Sequence, residues 1–115
     1  MRLSQKDIER YRKLYNKVSL PKLKDEVLAS EDEIKRLAVV LAVLEFHATQ
    51  GKQPTEDETE EKAIEIYIHL LFEKMKREGL VNVIYSKDKK RILKASLTEK
   101  GVKQALKIIK GDVKC

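Results

Sequence analysis

Five residues concentrate the chain's most exposed-looking chemistry: Lys87-Asp-Lys-Lys-Arg91, with Lys94 three residues further on. Four cations and one anion in so short a run suit phosphate contact, because ammonium and guanidinium groups release counterions from a polyanion and a polar run of this kind can stand clear of a core. A second polar set is Lys52, Gln53 and Thr55, followed by Thr59 and Lys62. Amide, hydroxyl and ammonium groups of these types donate to phosphates and base edges. Catalytic patterns are absent from the sequence. It contains no glycine-rich phosphate loop, no paired histidine–carboxylate motif and no Ser- or Cys-centred nucleophile context, so neither an enzyme nor a cofactor is expected. His47 and His69 lack an acidic or cysteine partner at ligand spacing, and satisfied structural roles are expected for both. The acids Glu56, Asp57, Glu58, Glu60 and Glu61 fall where a helix begins, which the helix dipole explains without a metal. Cys115, the one cysteine, has no intrachain partner; across a dimer axis it can form an intersubunit disulfide.

These groups must be positioned by helices and one hairpin. Ser4 can cap a basic helix over residues 1–20, in which Ile8, Tyr11 and Val18 recur at helical spacing. Pro21 breaks it, and Lys22 to Ala29 forms a link. Ser30-Glu-Asp-Glu33 opens a helix running to about Thr49 and closed by Gly51. Its middle, Leu37 to Leu44, is apolar on every side, so it is expected to be covered by neighbours all round as the centre of the core. A loop, Lys52 to Thr55, leads to a second capping box, Thr55-Glu-Asp-Glu58. The helical pattern then runs unbroken to Glu78. Val81, Val83 and Tyr85, and after the basic run Leu93, Ala95 and Leu97, alternate with polar residues as hairpin strands. Thr98 caps a last amphipathic helix, with Val102, Ala105, Leu106 and Ile109 opposite four lysines, ending at Gly111.

The chain has 115 residues and a net charge of +6. Residues 1–24 hold eight Lys and Arg against Asp7 and Glu9. Residues 25–65 hold four against twelve acids, and residues 66–115 hold thirteen against five. A basic–acidic–basic layout can present one cationic face to a polyanion and a separate anionic one. A single domain is expected, divided into a basic helical extension (residues 1–29) and a core (residues 30–110). No apolar run reaches the roughly 20 residues that span a bilayer, and no leader pattern begins at Met1, so a cytoplasmic protein without membrane contact is expected. Charged residues make up 38% of the chain while Asn and Gln number six, a thermophile-like composition.

The stretch from Gly79 to Gly101 resembles the wing half of winged helix-turn-helix proteins. Its Gly79-Leu-Val81 step and its Leu97-Thr-Glu-Lys-Gly101 junction are similar to landmarks of MarR-like and PadR-like regulators, including small archaeal and archaeal-virus winged-helix proteins. The resemblance covers residues 60–110. It implies an α+β, mostly helical fold: a winged helix-turn-helix with an additional N-terminal helix and an amphipathic C-terminal helix. It implies double-stranded DNA binding by a homodimer in transcriptional regulation, with Lys87, Lys89, Lys90, Arg91 and Lys94 on the wing. Lys52, Gln53, Thr55, Thr59 and Lys62 would serve the loop and recognition helix. The terminal helices are expected to make the dimer, and no small-molecule ligand is inferred. The departure from the family pattern is the missing turn: it lies near Thr59–Ala63, or the short helix is fused or absent. The other reading is a winged-helix protein–protein interaction module without DNA contact, whose acidic helix start docks a basic partner.

Overall fold

Three side-chain caps fix where helices begin. Ser4 accepts from the Asp7 amide, Ser30 from the Glu33 amide and Thr55 from the Glu58 amide. At Thr55 the capping box is complete, since the Glu58 carboxylate returns to the Thr55 N–H at 3.0 Å. These caps open α1 (Gln5–Lys17), α2 (Glu31–Gln50) and α3 (Glu56–Arg77). Gly51 and Gly79 close α2 and α3 in the left-handed region, φ +66° and +78°, where a side chain would be strained. The computed structural model describes residues 3–114; Cys115, read as a free thiol or as one half of an intersubunit disulfide, lies outside them.

Two short 3-10 turns, Leu20–Lys22 and Asp25–Leu28, link α1 to α2. After α3 the strands β1 (Val81–Tyr85) and β2 (Ile92–Leu97) pair antiparallel, and α4 (Glu99–Lys114) closes the chain. The fold is therefore α+β and mostly helical, with one two-stranded sheet. Its core lies between α2, α3 and the linking turns, where Leu20, Leu28, Ile34, Ala38, Ala42, Ile66 and Leu70 are buried. The hairpin lies back along α3 and covers one side of that core with Ile92, Val83, Tyr85 and Ala95.

Four expectations are corrected. First, α3 is continuous from Glu56, so no turn exists at Thr59–Ala63, and the loop Gly51–Thr55 is the turn before it. Second, α2 is not covered all round. Val40 is 61% exposed and Val39 nearly as bare, because α1, α3 and the second 3-10 turn pack on its remaining sides only. Third, the alternation in β2 slips. Val83 pairs with Ala95 and Ile84 with Lys94, but Tyr85 pairs with Ile92. The extra residue turns Ile92 inward and leaves Leu93 71% exposed, as a bulge must. Fourth, α4 runs through Gly111 to Lys114.

The Gly79–Gly101 stretch closes by backbone contacts. Thr98 N–H donates to the Leu80 carbonyl at 3.0 Å, its hydroxyl to the Gly79 carbonyl at 2.6 Å, and Gly101 N–H to that hydroxyl at 3.0 Å. A methyl group on Gly101 would overlap the Leu80 carbonyl oxygen, so glycine is needed here for close approach.

Candidate nucleic-acid interface

The hairpin tip does not stand free. Asp88 shapes it by accepting from the Ser86 hydroxyl (2.6 Å) and the Lys90 N–H (3.0 Å), while Lys89 takes a left-handed φ of +63°. These bonds hold the Asp88 carboxyl below its ordinary range, with the Ser86 hydroxyl as the largest cause. The tip then meets the N-terminal segment. Leu20 N–H donates to the Lys89 carbonyl at 2.9 Å. Lys90 Nζ donates to the carbonyls of Tyr15 (2.6 Å) and Val18 (2.7 Å), the end of α1, and sits 4.6 Å from the centre of the Tyr15 ring.

This contact divides the cations of the hairpin. Lys87, Lys89 and Lys94 are exposed; Lys90 is 8% exposed and committed to α1. Arg91 also turns inward, donating to Glu45 Oε1 at 2.8 Å with its Nε 3.6 Å from Glu65. The expected five-cation wing is thus reduced to three outward cations. The physical reason is that a helix C-terminus carries partial negative charge and unpaired carbonyls, which an ammonium satisfies. Burial pulls the Lys90 ammonium down, against the opposing charge of Asp88.

The contact also brings together basic segments that are far apart in sequence. Lys17, adjacent to Val18, and Lys22, two residues beyond Leu20, are both exposed beside the tip that carries Lys87 and Lys89. From the sequence, these lysines belong to a separate extension. The available signal was their charge alone, with nothing to show which surface they would join.

Glu45 backs the tip. It accepts from Tyr15 Oη at 2.7 Å and from Arg91, and Lys62 Nζ lies 3.2 Å from its other oxygen without the alignment of a hydrogen bond. Burial and the Glu45 carboxylate push the Tyr15 phenol well above its usual value. One carboxylate therefore ties α1, α2, α3 and the hairpin tip together.

The second predicted set is gathered at the start of α3 but has its polar groups engaged. Lys52 pairs with Glu58 at 3.7 Å, and Gln53 Oε1 meets His47 Nε2 at 2.6 Å. Thr55 is occupied by its capping box, Thr59 Oγ1 donates to the Thr55 carbonyl at 2.8 Å, and Lys62 also bridges to Glu65 at 3.0 Å. Exposed Glu56, Asp57, Glu60 and Glu61 surround them. This end of α3 presents carboxylates to solvent.

His69 joins α3 to the hairpin: its Nδ1 accepts the Ile92 N–H at 3.0 Å. That bond requires an unprotonated Nδ1, and burial, with Arg91 adding to it and Glu65 opposing, holds the imidazole below 6.5. With the folded value lowered, the unfolded chain takes up a proton first as pH falls. The stability contribution is therefore complete above about pH 6.5 and declines as pH drops below it. Urea unfolding between pH 5.5 and 7.5 is expected to show this decline, and His69→Gln to flatten it; equal slopes in both proteins would reject the assignment.

Among the described residues, no helix is long and apolar enough to cross a membrane. No protein-family model, curated protein or solved structure matches the chain.

Proposed function

We propose that this chain is a winged helix-turn-helix protein that binds double-stranded DNA as a homodimer in transcriptional regulation. In this reading α2, the Gly51–Thr55 turn and α3 form the helix-turn-helix, and the β1–β2 hairpin is the wing. The observation that carries it is the joining of two basic segments at the hairpin tip, where Lys17, Lys22, Lys87 and Lys89 all face solvent. Such a cluster grips phosphates on either side of a groove. Lys94, on the outer face of β2 opposite Ile84, extends it. The exposed acids opening α3 disfavour deep insertion of that helix, so wing and extension supply most of the affinity. Of the two terminal helices α4 supplies the dimer contact, because it keeps the broader bare apolar face.

A mobility shift on duplex DNA at several salt concentrations tests the reading. Each lost phosphate contact lowers the slope of log K against log salt by about 0.9. Lys87→Gln/Lys89→Gln is therefore expected to reduce the slope by roughly two units, and Lys17→Gln/Lys22→Gln by a similar amount. Unchanged affinity and slope in both pairs would sink it. The acidic start of α3 supports the competing reading, a winged-helix interaction module. No duplex binding at low salt, with capture of a basic partner lost on reversing Glu58 and Glu61 to Lys, would favour that one.

A further inference from the structure

Six of the twelve exposed large apolar side chains among the described residues lie on two surfaces that the chain leaves uncovered. The first is α4. Val102, Leu106 and Ile109 stand at i, i+4 and i+7, with Ile109 58% exposed, while the helix leans on β2 through Gly101. Lys103 and Lys110 flank this stripe by their helical phase, and both are exposed. The second is an open groove of about 420 Å³ between α2 and α3, lined by Lys35, Ala38, Val39, Ala63, Ile64 and Tyr67. Ile64 is 56% exposed, and Ile68 continues its stripe by one turn. Glu60 and Glu61 precede Ile64 by one turn and are exposed. Glu31, also exposed, accepts from Tyr67 Oη at 2.9 Å and holds Lys35, the one cation lining the groove, at 3.6 Å.

We propose that α4 of a second copy of this chain occupies the α2–α3 groove, each copy giving its helix and receiving its partner's. Val102, Leu106 and Ile109 would seat on Val39, Ile64 and Tyr67, with Lys103 and Lys110 against Glu60 and Glu61. Charge decides the occupant. Pairing α4 with another α4 would set lysine-flanked stripes against each other, and like charges across an interface oppose association. The groove offers the opposite sign. A reciprocal exchange also closes on itself about a two-fold axis, so it ends at a dimer rather than a fibre. The inference rests on the homodimer of the reading above but not on its DNA contacts.

The test uses the full chain with Cys115→Ser. Light scattering on free protein is expected to give twice the 13.3 kDa chain mass. Lys103→Glu/Lys110→Glu and Glu60→Lys/Glu61→Lys are each expected to weaken the dimer at least tenfold while keeping the wild-type circular dichroism. Mixing the two variants restores it, because both interfaces of the mixed dimer then pair opposite charges. An Ile64→Cys chain mixed with a Leu106→Cys chain should form a mixed disulfide. A monomer at all concentrations, a disulfide formed by Leu106→Cys alone, a failed charge rescue, or a monomer captured by anionic vesicles through α4 would each overturn the proposal. A dimer that shifts no DNA leaves this inference standing and removes the function proposed above; a monomer that shifts DNA overturns this inference and the homodimer but leaves the DNA contacts of that reading standing.

Discussion

Glu73→Ala is expected to destabilise the protein by about 3–5 kcal/mol, a large part of a typical domain's total stability. Glu73 is 1% exposed on α3, yet both of its oxygens are satisfied. Arg77 Nε donates to Oε2 at 2.8 Å, and the Tyr85 hydroxyl donates to Oε1. Arg77 in turn donates to Asp25 at 2.9 Å and to the Leu20 carbonyl at 3.0 Å. One buried carboxylate thus joins α3, the hairpin and the turns before α2. Burial and this carboxylate push the Tyr85 phenol up, as a buried donor to an anion should be. Removing Glu73 takes from the partly buried guanidinium and phenol the carboxylate they share, and leaves Arg77 with Asp25 and the Leu20 carbonyl. Urea unfolding should show the loss, while Glu73→Leu/Arg77→Met/Tyr85→Phe should recover most of it, because an apolar set of similar volume avoids the desolvation cost. A cost below about 1 kcal/mol for Glu73→Ala would mean that the network does not tie the hairpin to the helices.

Features governed by neighbours in sequence are legible from the sequence alone. Ser4, Ser30 and Thr55 cap because their oxygens reach amides three residues on, and Gly79 closes α3 because only the next few residues decide it. The hairpin was legible through alternation, but alternation has no phase marker. The extra residue that inverts Ile92 and Leu93 could not be placed from it. Long-range partners were the real loss. The apolar run in α2 does not reveal how many elements will cover it, and a lysine-rich turn reads the same whether it faces solvent or a helix end. Glu73 did carry a usable signal. It continues the Ala63, Ile66, Leu70 stripe with Arg77 one turn on, the pattern of a buried acid paired within its own helix. Lys17 and Lys22 carried none, because their place in the cationic surface depends on the Leu20–Lys89 contact.

Lys90→Ala should cost about 2–4 kcal/mol, whereas Lys87→Gln/Lys89→Gln should stay within about 0.5 kcal/mol of wild type, although all three lysines share one turn. Lys90 donates two charge-assisted hydrogen bonds to carbonyls at the end of α1 and packs on the Tyr15 ring. Truncation leaves the Val18 carbonyl unpaired, while the Tyr15 carbonyl keeps the Val18 N–H at 3.1 Å, and it loosens α1 from the hairpin, so amide exchange should rise most around Tyr15–Leu20. Lys90→Met, which keeps the buried stem, should fall between the two. Under the proposed function, DNA affinity separates the roles further. In Lys90→Ala it should fall because the segment carrying Lys17 and Lys22 loosens, and an osmolyte that strengthens burial should restore it. In Lys87→Gln/Lys89→Gln it should fall with stability intact and resist the osmolyte, because a phosphate partner is gone. If Lys90→Ala is as stable as wild type and behaves like the surface pair, Lys90 belongs with the DNA contacts and the tip is not clamped to α1.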